Sequence, residues 1–399
     1  MVPVSRRILR AGRWGSTALA AGLMAAGLLS GVSATAAAVP KTFALPHITH
    51  VWNILLENED YATTFGNPSA DPYLATTLPS EGALLEDYYG IGHHSNDNYV
   101  ALVSGQPPNP DNQNDCTTFV GFSGGTDDHG IETGDGCVYP SDISDIGNQL
   151  TQRKLSWKAY EQDMGNIPSR EAAACGHPAL GAADNTEKAV SGDGYATRHN
   201  PFVYFEGVIE KAKYCDSHEV ALGSTTGAMP KGALKGETGL VTDLKKAATT
   251  PAYSFITPNL CNDGHDFPCI NQTGGASALA NIDTFLSTWV PKITASAAYK
   301  QGGLIEITFD ESEGPSSDSS ACCNETPGPA APEPGLDGPG GGLVGAVLLS
   351  PFIKPGTVST TPYNHYSTLA TDELIFGLSR LGEAKTVTST FGSDVFTAS

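Results

Sequence analysis

Two segments of the chain put acids directly behind apolar runs. Glu57-Asn58 follows HVWNILL (residues 50–56), and Asp310-Glu311 follows GLIEITF (303–309). Carboxylate and amide oxygens at a strand end are hard ligands suited to a divalent cation. Adjacent carboxylates at a buried end repel unless a cation lies between them or one is protonated. Alone, each pair is better read as a solvated turn; two in one chain favour a metal site. A third segment, His93-His94-Ser95-Asn96-Asp97-Asn98-Tyr99, holds a serine among histidines, amides and an acid. Ser95 is a candidate nucleophile and Asn98 a candidate donor to a phosphoryl oxygen. On local sequence alone the segment reads better as a helix start with a serine cap, and the two readings are compatible. The remaining candidates are the histidines in Arg198-His199, Asp263-Gly264-His265-Asp266 and His365. An acid-flanked imidazole can ligate a metal or act as a general acid. His177 and His218 are read as bystanders.

Such residues need strand ends to carry them. Strands are predicted at 50–56, 155–160, 253–256, 303–309 and 344–349, and helices at 72–78, 143–153, 242–248, 276–290 and 365–378. This alternation predicts an α/β/α sandwich with a mainly parallel central sheet, in which sites form at the carboxyl ends of the strands. Two long loops, 121–136 and 314–342, are rich in glycine; each is either a site wall or a surface insertion.

Composition narrows the setting. The chain has 399 residues, 40% of them apolar, which supports a sizeable core and excludes a disordered protein. Arg6, Arg7, Arg10 and Arg13 precede an apolar stretch from Ser16 to Val32 and the small residues Ala34-Thr35-Ala36. Residues 1–38 are therefore expected to be a cleavable export signal, loosely of twin-arginine type, leaving one domain over 39–399. A membrane anchor fits less well, because the apolar core is short and no basic flank follows it. The formal charge is −21. Losing four arginines and no acid takes it to about −25. That surface argues against nucleic-acid partners and stable membrane insertion, and a phosphate substrate would need local cations. Eight cysteines in an exported chain predict disulfides, with near-neighbour pairing (116 with 137, 175 with 215, 261 with 269) one choice among several. Cys322 and Cys323 bond to each other or elsewhere.

The segments LLENED (55–60), GHHSNDNYVALVSGQ (92–106), YATRHNPFVYF (195–205), ITPNLCNDGHD (256–266), ITFDESEG (307–314), LLSPFIKPGT (348–357) and YNHYSTLATDELIFGL (363–378) occur in this order. Together they resemble the phosphoesterase family that joins bacterial acid phosphatases and phospholipases C, within the alkaline-phosphatase-like superfamily. The resemblance is nearest to its secreted acid phosphatases. It implies that Glu57, Asn58, Asp310 and Glu311 hold one divalent metal (Ca, Mg, Mn, Zn or Fe), with Ser95 both ligand and nucleophile. It implies that His199, His265 and His365 surround the phosphoryl group, and that His93, Asn98 and Arg198 contact substrate. The chain departs from many of these acid phosphatases in carrying His94 and Asp97 where they have prolines. Phospholipase relatives often carry a threonine nucleophile, so Ser95 leans toward a phosphatase. Phospholipid head groups remain the alternative substrate. A non-catalytic secreted binding protein is the other alternative, against which the retained serine and acids speak.

Overall fold

The computed structural model describes residues 43–270, 277–324 and 326–397. The expected export signal and the first residue of the helix predicted at 276 lie outside them. Strands are β1 (His50–Leu56), β2 (Ala83–Leu85), β3 (Tyr88–Tyr89), β4 (Trp157–Glu161), β5 (Glu219–Ala221), β6 (Tyr253–Thr257), β7 (Gly303–Phe309), β8 (Ala346–Leu349), β9 (Thr357–Ser359) and β10 (Tyr363–Asn364). Eight of them form one sheet in the order β5-β4-β6-β1-β7-β8-β2-β9, and β10 pairs with β3. All neighbours from β5 to β7 are parallel, whereas β8 runs antiparallel to both β7 and β2. The two central strands, β1 and β7, are buried almost throughout, which is why they read as continuous apolar runs.

Helices cover both faces. Asn53 on β1 donates to Asp372 of the closing helix His365–Phe376 (3.0 Å), while its neighbour Trp52 packs on Tyr299 of the helix Ala297–Gly302. Successive strand residues point to opposite faces, so these helices lie on opposite sides of the sheet. The closing helix starts at a capping box between Asn364 and Ser367 and stops at left-handed Gly377. The long helix Ala278–Ala295 is capped by Ser277 and buries one apolar face.

Some elements differ from the sequence reading. The helix predicted at 242–248 is one turn, Leu240–Asp243. The Thr249 and Thr250 hydroxyls bond the Asp243 carbonyl (2.8 and 3.1 Å), which the next helical turn would otherwise use. The helix predicted at 72–78 is a π turn, Tyr73–Thr77, running into Leu78–Glu81. The helix predicted at 143–153 is shorter, Ile146–Gln152, because Asp145 caps it through Asn148 N (2.9 Å). Four disulfides join Cys116–Cys137, Cys175–Cys215, Cys261–Cys269 and Cys322–Cys323, which fits an oxidising compartment. Among the described residues no helix is long and apolar enough to cross a membrane.

Candidate active site

The site forms where β1, β6 and β7 end. Leu56 pairs with Phe309 across β1 and β7, so Glu57 and Asp310 leave the sheet side by side. Asn58 takes a left-handed conformation (φ 57°), which asparagine tolerates, and its N–H reaches Asp310 Oδ1 (3.1 Å). After β6, the loop closed by Cys261–Cys269 folds back so that the Asp263 carbonyl accepts from Glu57 N (2.9 Å). Gly264 makes this close approach possible: a Cβ there would lie 2.8 Å from the Glu57 carbonyl oxygen.

Ser95 is the first residue of the helix Ser95–Ser104, and its Oγ donates to Glu57 Oε2 at 2.8 Å. A backbone at a helix N-terminus favours an anion in front of it. His199 enters from a short turn, Thr197–His199, and its ring stacks on Tyr99 with centroids 5.0 Å apart. Its Nδ1 meets Asp263 Oδ2 at 3.1 Å, so Nδ1 carries the proton. The Nε2 lone pair then faces Glu57 Oε1, another acceptor, at 3.3 Å. Two acceptors facing each other in a buried site need a cation or a proton between them. Glu57, His199 and Asp263 each offer a ligand atom within 4.8 Å of the others.

The electrostatics agree. Glu57, Asp263, Asp310 and Glu311 are all buried. Burial, reinforced by the neighbouring acids, raises the Glu57 and Glu311 carboxyls well above their ordinary range. Burial likewise raises Asp263 strongly and pushes Asp310 up to about 7. Burial also drives His199 well below its usual value, keeping it neutral as a ligand must be. Asp310 Oδ2 is buried without a hydrogen-bond partner. Oxygen donors with one imidazole nitrogen fit a divalent metal.

A model of the Phosphoesterase family matches residues 67–379. The chain belongs to that family. The phosphate-repressible acid phosphatase of Penicillium chrysogenum is 27% identical over 330 residues, covering 83% of this chain and 59% of the fungal protein. The phosphatidylinositol-3-phosphatase of Mycobacterium tuberculosis is 26% identical over 364 residues, covering 91% of this chain and 89% of that one. The chain thus spans about three fifths of the length of its fungal relatives. A protein in the alkaline phosphatase superfamily from Vibrio parahaemolyticus has a similar structure, with TM-score 0.47 and 13% identity over 86% of this chain and 72% of that one.

In this phosphoesterase the other expected residues divide into rim and support. Arg198 is buried at the rim; its Nη2 donates to His265 Nε2 (3.0 Å) and its Nη1 to the Glu187 carbonyl (3.0 Å). His265 Nε2 is thereby an acceptor, so Nδ1 donates to Asp266 Oδ1 (2.9 Å). His93 Nε2 donates to the Asp318 carbonyl (3.1 Å), and its Nδ1 lies against Glu311 Oε2. Asp318 belongs to the 314–342 loop, whose Gly341 carbonyl accepts from Ser312 N (2.8 Å), so this loop is a site wall. His365 is fully buried behind the acids: Nε2 donates to the Asp310 main-chain carbonyl (2.6 Å) and Nδ1 meets Tyr88 Oη (3.1 Å). Asn98 latches its own loop, accepting from Ile91 N and Gly92 N and donating to the Gly92 and His94 carbonyls. These contacts make His365 and Asn98 supports of the site's shape. Asp263, Asp115 and His94 were given no site role from the sequence, although Asp263 and His94 stand in segments singled out there.

Proposed function

We propose that the protein is an exported, metal-dependent acid phosphatase that hydrolyses phosphate monoesters through a covalent phosphoserine on Ser95. The observation that carries this reading is the Ser95 hydroxyl at a helix N-terminus, hydrogen-bonded to Glu57 at 2.8 Å beside the acid cluster. The names of the fungal and mycobacterial relatives support phosphate esters as the substrate class.

Glu57, Asp263, Asp310 and His199 would hold the metal, with Asn58, Glu311 and Ser95 beside them. When bound, a divalent cation lowers the pKa of a nearby hydroxyl and offsets charge on the phosphoryl group. Ser95 Oγ attacks phosphorus in line, its proton passing to Glu57 Oε2 as the Oγ–P bond forms and the bond to the leaving oxygen breaks. For His265 to protonate the leaving alcohol, Arg198 Nη2 must leave its Nε2 and turn to the phosphoryl group as substrate enters; the freed ring edge then relays a proton from solvent, which reaches this 28% exposed side chain. Water then attacks the phosphoserine in the reverse geometry and releases phosphate. The positive end of the serine helix favours the negative oxygens, although Asn96 N itself is taken by Asp115 Oδ1 (3.1 Å).

A phospholipid head group is the second reading. Phe267 and Ile270, 51% and 47% exposed in the loop that carries His265, give the rim an apolar edge suited to an acyl chain. Phosphate release from p-nitrophenyl phosphate, measured from acid to neutral pH with and without EDTA, tests the first reading. Chelator-sensitive release supports it. No release under any added metal sinks it and leaves phosphodiesters and phospholipids as the substrates to try.

A further inference from the structure

Of the three side chains that converge at the candidate metal site, two come from irregular segments. His199 stands on the one-turn element Thr197–His199, and Asp263 stands in the loop after β6. The hydrogen bond from His199 Nδ1 to Asp263 Oδ2 (3.1 Å) ties one atom of the imidazole. A ring tied at one atom can still pivot there, and pivoting carries Nε2 away from Glu57 Oε1, which it meets at 3.3 Å. His265 touches the same ring at a tilt of 58° with centroids 5.7 Å apart, which does not set its plane.

Tyr99 is placed to set it. The residue lies four positions after Ser95 on the serine helix, one turn along the same face. Its ring is stacked on His199 at an interplanar angle of 6° and a centroid distance of 5.0 Å. Phe255 of β6 meets the phenol edge-on, at 61° and 6.2 Å. All three rings are buried. The phenol is thus wedged between a strand of the central sheet and the imidazole, in an interior too closely packed for either ring to turn freely. The phenol hydroxyl could steady the site in another way, because it lies beside the Glu57 carboxyl. Ring and hydroxyl can be separated by substitution.

We propose that Tyr99 is a positioning residue for the metal site: its ring, backed by Phe255, fixes the plane of His199 so that Nε2 stays aimed at Glu57 Oε1. The inference rests on the metal-dependent reading of the site and adds to it a residue that acts through His199. Two ligands carried on loops are thereby referred to the helix that carries the nucleophile and to the sheet beneath it.

The test is the binding of Mn²⁺ and of Zn²⁺ to the metal-stripped protein, measured by isothermal titration calorimetry. Tyr99→Leu, which removes the flat ring, should raise the Kd by about 10–100-fold, as expected when a group that orients a metal ligand is lost. Tyr99→Phe keeps the ring and should stay within about threefold of wild type. Tyr99→Met, whose flexible chain fills the space without a flat face, serves if the leucine variant does not fold. In a His199→Gln background, Tyr99→Leu should add less than about twofold, because the ring it positions is gone. An equal cost in both backgrounds would mean that Tyr99 only packs the core, and would overturn the assignment. A loss in Tyr99→Phe as large as in Tyr99→Leu would give the role to the hydroxyl and also overturn it. A wild-type protein that binds neither ion would overturn the metal reading and this inference with it. A wild type that binds, with Tyr99→Leu unaffected, removes only the inference.

Discussion

The molecule buries two clusters of carboxyl groups, and they differ in where they sit along the strands. The first, Glu57, Asp263, Asp310 and Glu311, lies just past the ends of β1, β6 and β7. The second lies mid-sheet, where Glu306 on β7 pairs in register with Asn53 on β1, and Asn53 Nδ2 donates to Asp372 Oδ2 (3.0 Å) and Tyr253 Oη (3.1 Å). Burial raises the carboxyls in both, strongly for Glu306 and up to about 8 for Asp372. A perturbed pKa therefore does not separate them. The partners do. The strand-end acids face a histidine lone pair and a serine hydroxyl; the mid-sheet acids face an amide and phenols and are sealed under the closing helix. The first arrangement calls for a cation; in the second, Glu306 and Asp372 also keep oxygens without a partner, but they face no imidazole lone pair and are neutralised by their own protons. Burial with like charges points to function only where the groups also open on a strand end.

The sharpest way to break this comparison is Ser95→Ala. Loss of the nucleophile should lower kcat by about 10³-fold or more on p-nitrophenyl phosphate, with Tm and metal content unchanged. Activity within tenfold of wild type would remove Ser95 from the chemistry. Next comes Asp263→Asn, which alters one of three converging groups and the partner of His199 Nδ1. Metal retention after dialysis should weaken by about 10–100-fold, with activity partly restored by excess metal. Unchanged metal content would move the ion's position away from Asp263.

A smaller effect is expected from His365→Gln. His365 reaches the Asp310 main chain from behind, so its loss should reduce kcat by about tenfold or less while the ion is retained. A loss of about 10³-fold with metal in place would instead put His365 against the phosphoryl group, as the family resemblance implies.

These outcomes bear on what was legible in the sequence. Glu57 and Asp310 could be read because each follows a seven-residue buried strand, long enough to mark its own end. Asp263 could not be placed, because it comes six residues after β6 ends, in a loop whose path is set by the Cys261–Cys269 bridge and Gly264. His94 Nδ1 faces Asp115 Oδ2 (3.5 Å) across a long sequence separation with no shared periodicity. The position of His365 was hidden for another reason. The closing helix is buried through Glu373, so no polar stripe tells which side faces the site. Strands β2, β3, β5, β9 and β10 have two or three residues, too few to show alternation, and exist because longer neighbours offer them partners.

The mid-sheet cluster supplies the mildest test, one of stability rather than rate. Asp372, facing Asn53, Tyr253 and Glu306, holds its proton up to about pH 8 in the folded protein, whereas an unfolded aspartate releases it near its ordinary value. Between those limits the folded state binds more protons than the unfolded one, so stability falls as pH rises. Asp372→Asn keeps an oxygen to accept from Asn53 and cannot ionise. It should match wild type in stability at pH 4 and exceed it increasingly toward pH 8, by about 1.4 kcal/mol for each pH unit. Phosphatase activity should stay within about twofold, because no atom of this cluster faces the serine. A Tm difference independent of pH would mean that Asp372 is ionised in the folded protein. The two clusters would then differ less than their partners indicate, and a cation would have to be sought beneath the closing helix as well.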